Sequence, residues 1–113
     1  MLSNNKVDYF MKKLFITALL LCSPVLSAGT LFQFTGKVTI VESTYLPGKV
    51  TFQMDAGHSV CPAGAWLKWQ KETENNKMVY SSLMTALVSD KKVRLYIEEG
   101  DDTCTGRYIH LVK

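Results

Sequence analysis

A chain of 113 residues with 13 Lys and Arg against 10 Asp and Glu predicts one small domain, neither acidic nor strongly basic. A formal net charge of +3 lacks the dense Lys and Arg clustering that nucleic-acid binding needs. Three cysteines in so short a chain make redox compartment the next question.

The N-terminus answers it. Lys12 and Lys13 precede an apolar run from Leu14 to Cys22, after which Ser23, Pro24 and the small residues Ser27 and Ala28 follow. Positive, apolar, then small is the order of a signal peptide, so residues 1–28 are expected to be removed, with cleavage after Ala28 or, as the near alternative, after Ser27. The apolar run is less than half of the roughly 20 residues that span a bilayer as a helix. Export to the periplasm or the extracellular space without a stable membrane anchor is the expectation. Cys22 invites a lipoprotein reading, but Leu21 occupies the position before it where a small residue is required. Met11 begins a complete signal by itself, so Met1 and Met11 are both candidate starts.

Residues 29–113 form the single mature domain, with ten basic and nine acidic side chains. Cys61 and Cys104 are its only cysteines, and in an oxidising compartment an even pair predicts a disulfide. A metal-binding or catalytic thiol pair would need close spacing or flanking histidines, which the sequence lacks.

From Thr30 to Thr44 the chain alternates through Phe32, Phe34, Val38 and Ile40 and is interrupted at Gly36, which predicts one long strand bent or bulged at the glycine. Leu46, Pro47 and Gly48 predict a turn, and Val50, Phe52 and Met54 alternate into a second strand. A loop with Gly57, His58, Pro62 and Gly64 leads to AWLKWQ, a short third strand with Leu67 on one face and Trp66 and Lys68 on the other. Between Asn75 and Lys92, apolar residues Tyr80, Leu83, Met84, Leu87 and Val88 recur at helical steps behind an asparagine suited to capping. KKVRLYIEEG alternates again through Val93, Leu95 and Ile97, and RYIHLVK predicts a last strand with Ile109 and Leu111 on one face. The order β-β-β-α-β-β, mainly β with one helix (α+β), is that of an OB-fold-like five-stranded Greek-key barrel.

This layout resembles the small secreted bacterial OB-fold proteins that look like B subunits of AB5 toxins, the subtilase cytotoxin and pertussis-like groups. The features that carry the resemblance are the signal peptide, the cysteine after the second strand, the helix before SDKKVRLYI and the cysteine before the last strand, together covering about residues 36–112. It implies pentameric rings that bind cell-surface glycans, through a Ser, Tyr or Lys of the barrel. No such set is carried over here residue by residue.

Candidate ligand contacts follow from side-chain chemistry. Trp66 and Trp69 near Lys68 join aromatic faces to a hydrogen-bonder, the pairing on which sugar rings stack, with Trp66 and Lys68 as the candidate contacts, although a domain of this size also needs its tryptophans for the core. Arg94, Tyr96, Tyr108 and His110 fall opposite the apolar positions of the last two strands, where solvated cross-strand pairing explains them equally well. Met78, Val79 and Tyr80 are candidates for a subunit contact if they face outward. Asp55 near His58 suggests a dyad, and Glu98, Glu99, Asp101 and Asp102 an oxygen-rich turn, but neither carries a catalytic or EF-hand order. No metal site or cofactor is expected.

The functional expectation is therefore a secreted or periplasmic binding module, not an enzyme, that recognises a glycan or protein surface and assembles as a homo-oligomer. The alternative is a periplasmic inhibitor or accessory protein that plugs an envelope enzyme with its 55–64 loop.

Overall fold

The computed structural model describes residues 29–113; the expected signal peptide and Cys22 lie outside them. The described chain is mainly β, with five strands in one antiparallel sheet and one helix. The strands are β1 (Leu31–Glu42), β2 (Val50–Met54), β3 (Leu67–Trp69), β4 (Lys92–Glu98) and β5 (Gly106–Val112), and the helix, α1 (Thr73–Ser89), falls between β3 and β4. Their spatial order is β3-β2-β1-β4-β5.

Strand β1 serves both halves of this sheet. Its first part, Leu31 to Lys37, pairs with β4, and its second, Val38 to Glu42, pairs with β2. The changeover falls between Lys37 and Val38, just after Gly36, where a Cβ would stand 2.5 Å from Asp55 Oδ1 and 2.6 Å from Ala56 Cβ. With no side chain in the way, Asp55 closes against β1: its carboxylate accepts the Lys37 N–H at 2.7 Å and its own N–H donates to the Lys37 carbonyl at 3.0 Å. The irregularity expected at the glycine lies further along: Gly36 stays in register opposite Val93, and the register shift falls between Val38 and Ile40. That bulge changes the faces of the rest of the strand. Phe32, Phe34 and Val38 are buried as the alternation predicts, whereas Ile40 turns to solvent and Val41 packs against the core.

The core lies between the sheet and one face of α1. Phe52, Met54, Leu67, Leu83, Leu95 and Ile97 are fully buried, each contributing about 1.5–3 kcal/mol through removal from water. The helical face that enters the core is Asn76, Val79, Leu83 and Ala86, with Tyr80 partly buried beside it. This is rotated from the expected stripe: Leu87 and Val88 are exposed and Val79 points inward, because the sheet contacts the helix along the i, i+3, i+7, i+10 line that begins at Asn76. The helix also starts earlier than the sequence pattern indicates, after Glu72 in extended conformation with no side-chain cap bond, and Glu74 in its first turn complements the dipole. Asp90 ends it in the left-handed region at φ 59° and pairs through its carboxylate with Lys37 Nζ at 2.9 Å, tying the helix end to β1. That pairing raises the Lys37 ammonium above its ordinary value, the Asp90 hydrogen bond first.

Cys61 and Cys104 form the expected disulfide. It joins the loop before β3 to the turn before β5. At the same place the sheet's two outer strands approach each other: Lys68 of β3 forms a parallel bridge with Thr105, and its N–H donates to the Cys104 carbonyl at 2.9 Å. No described helix is long and apolar enough to cross a membrane.

Candidate functional site

The outward face of β4 and β5 gathers four of the residues singled out by alternation. The register places Arg94 opposite His110 and Tyr96 opposite Tyr108. Tyr96 meets the Tyr108 ring edge-to-face at 6.2 Å and the His110 ring at 5.2 Å, while Arg94 Nε donates to Thr35 Oγ1 of β1 at 3.3 Å. Edge-to-face contacts hold three rings in one cluster whose other faces look to solvent. Tyr108 is more than half exposed at its tip of the cluster.

A bulge between Tyr96 and Ile97 sets Arg107 apart from this pairing. Its guanidinium is held by Glu98 at 3.1 Å, and its carbonyl accepts Lys71 Nζ at 3.1 Å. Lys71 lies 5.0 Å from the Trp69 ring and 5.8 Å from that of Tyr108, bridging the end of β3 to β5. Beneath it Trp69 is buried, and its indole N–H donates to Asn75 Oδ1 at 2.8 Å. Gly106 makes that arrangement fit, since a Cβ there would stand 2.8 Å from Trp69 Cε3.

These contacts leave a cleft of about 350 Å³ between the first half of α1 and β5, whose walls include Trp69, Lys71, Asn75, Met78, Tyr108 and His110. A second cleft of about 300 Å³, lined by Leu31, Glu98, Arg107 and Tyr108 among others, lies beyond Tyr108. The aromatic cluster thus continues over the β5 edge into the helix cleft.

Trp66 and Lys68 line neither cleft. Trp66 precedes β3 and is exposed, and Lys68 is half-buried with its backbone committed to Cys104. Of the two tryptophans it is Trp69, expected to lie beside them, that enters the site. Trp69, Lys71 and Asn75 were not picked out from the sequence as a group. The available signal was the two-residue step from Trp69 to Lys71 running into the start of a helix, but only packing against β5 makes it a cleft wall.

The remaining polar candidates are occupied locally. His58 stacks on Phe32 at 4.1 Å and its Nδ1 meets Ser59 Oγ at 3.2 Å, whereas the Asp55 carboxylate is held by β1, so the two share no hydrogen bond. In the acidic turn, Asp101 Oδ1 accepts both the hydroxyl and the N–H of Thr103, which holds its carboxyl below the ordinary value, the hydroxyl bond first. No group of three metal-ligating side chains comes together among the described residues.

Comparison with known proteins gives no match: no family model, no curated protein and no solved structure is similar to this chain.

Proposed function

We propose that this chain is an exported, non-catalytic binding module that recognises a glycan or protein surface through the Arg94, Tyr96, Tyr108 and His110 face, as a closed ring of copies. The observation that carries the reading is the solvent-facing cluster of Tyr96, Tyr108 and His110 beside Arg94. Such rings offer planar apolar faces with polar edges, which is what a saccharide or a protein loop packs against. Export is supported by the N-terminal signal pattern and by the disulfide, a bond that persists in oxidising compartments.

The finer fold reading is an OB-type Greek-key barrel. Its support is the strand order together with the Lys68 and Thr105 bridge, which brings the outer strands β3 and β5 toward closure. Two features favour self-assembly. From Met78 to Ser89 the helix carries no charged residue, and on its outer side Ser82, Thr85 and Ser89 turn their hydroxyls back to the helix's own carbonyls. That leaves Val88 on an uncharged exposed face, whereas of the three residues expected to supply a contact Val79 is buried, Tyr80 partly buried and Met78 exposed at the wall of the cleft. In addition, past the cleft-lining residues Arg107 to His110 the far end of β5 is exposed at Leu111 and its side away from β4 is unpaired among the described residues.

Light scattering on the mature protein tests the ring, and a glycan array with wild type and Tyr96→Ala tests the face. A ring with glycan signal that Tyr96→Ala abolishes supports the reading; a monomer with no signal overturns it. The inhibitor reading has one observation of its own: Ser59 and Val60 sit exposed at a loop tip secured by Cys61 and by the His58 N–H to Cys61 carbonyl bond at 2.8 Å. Stoichiometric inhibition of an envelope enzyme, lost on Val60→Asp, would favour it.

A further inference from the structure

The cleft between α1 and β5 has an unbalanced inventory of hydrogen-bonding groups. No Asp or Glu lines it. Lys71 has no carboxylate within ion-pair distance among the described residues and spends one of its three donors on the Arg107 carbonyl. Asn75 is oriented by Trp69: because its Oδ1 accepts the indole N–H, its Nδ2 is what it presents, and that group has no protein acceptor among the described residues. Both groups are gathered on one indole, Lys71 over the ring and Asn75 at its nitrogen. Opposite them stands the exposed ring of Tyr108.

Free donors without acceptors select an acceptor-rich ligand, and an ammonium among them selects a negative one. We propose that this cleft binds a carboxylate carried on a ring, with Lys71 Nζ and Asn75 Nδ2 holding the carboxylate oxygens and Tyr108 packing against the ring. The proposal rests on the binding-module reading and names the chemistry of one of its subsites. It extends that surface past Tyr108 to residues on the helix side, and it gives the Trp69 to Asn75 bond a role in orienting a donor as well as in closing the core.

The test uses protein produced from the intact chain with the disulfide formed, and reads the indole resonance of Trp69 and the side-chain amide of Asn75 by ¹⁵N–¹H spectroscopy. The Trp66 indole, outside the cleft, is the internal control. Probes are two matched pairs, benzoate with benzamide and glucuronate with glucose. The expected result is that at least one acid shifts Trp69 and Asn75 while its neutral partner does not, and that Lys71→Met weakens this by roughly tenfold or more while Lys71→Arg retains it. Which acid binds distinguishes an aromatic from a saccharide source. Equal shifts from acid and neutral probe would keep a binding cleft but overturn the carboxylate. Silence from all four, or an unchanged affinity in Lys71→Met, overturns the proposal, while the array and light-scattering results decide the wider reading separately.

Discussion

Asn76, inside the helix and fully buried, donates its side-chain amide to the Pro47 carbonyl at 2.8 Å, binding the turn between β1 and β2 to the first turns of α1. The same amide donates to the Gly48 carbonyl at 3.1 Å and the Lys71 carbonyl at 3.0 Å, and its Oδ1 accepts the Lys71 N–H at 2.8 Å. One side chain thus satisfies backbone groups of two separate loops. Every buried side-chain nitrogen and oxygen among the described residues has a partner, and this residue anchors the largest such set.

Replacing Asn76 with Leu leaves the Lys71 N–H and three carbonyls without their partner, each worth about 1–3 kcal/mol when buried unsatisfied. A loss of about 3 kcal/mol or more in urea unfolding is expected. Asn76→Asp should be no better despite its shape, since a carboxylate cannot donate to the Pro47 and Gly48 carbonyls. An Asp variant as stable as wild type would show that the carbonyl bonds contribute little.

The disulfide spans a sequence separation of 43, and in the chain-entropy account its removal costs about 4 kcal/mol. The double variant Cys61→Ala, Cys104→Ala should show a lower urea midpoint at nearly unchanged intrinsic core packing. Adding reductant should shift wild type toward the variant and leave the variant unmoved. A reductant effect on the variant would point to some other cause.

Asp101 supplies a pH dependence. Its folded-state carboxyl lies below its ordinary value of 3.8, so it contributes stability above that value and loses it as pH falls through the depressed folded value. Thr103→Val removes the hydroxyl donor that is the main cause. The melting-temperature gap between wild type and Thr103→Val should therefore be widest near neutral pH and close in strong acid. A gap that stays constant across the titration would remove this linkage.

The two tryptophans should respond very unequally. Trp69 is buried against Gly106, so Trp69→Ala is expected to cost about 3–5 kcal/mol, and Gly106→Ala about 1–3 kcal/mol from overpacking against the indole. Trp66→Ala, at an exposed position before β3, should stay within about 0.5 kcal/mol. Thermal melts of the three variants check the order.

How much of this was legible from residues alone differs by element. In β4 the alternation matches expectation along the strand, because a period of two depends only on local chain geometry, whereas in β2 Val50, Phe52 and Met54 are buried as expected but Thr51, expected to alternate with them, is buried too and donates to Glu42. The helix was legible as a helix but not in its buried face. Its stripe begins at Asn76, a polar residue that no apolar pattern selects and that is buried because two loop carbonyls meet there. The β4 and β5 face was found by alternation, while the cleft beside it was not, since Trp69, Lys71 and Asn75 acquire their meaning only against β5.

By itself the sequence determined the mainly β character with a single helix, the strand order along the chain, the pairing of Cys61 with Cys104 and the grouping of Arg94, Tyr96, Tyr108 and His110 on one side of their strands. Tertiary structure alone decided where β1 changes partners, that the bulge after Val38 sends Ile40 outward, and that Lys71 reaches across to Arg107 to wall the cleft. The division has a physical cause: periodicity and cysteine parity are properties of neighbouring residues and counts, whereas bulges, strand partners and clefts are set by contacts between segments far apart in the chain.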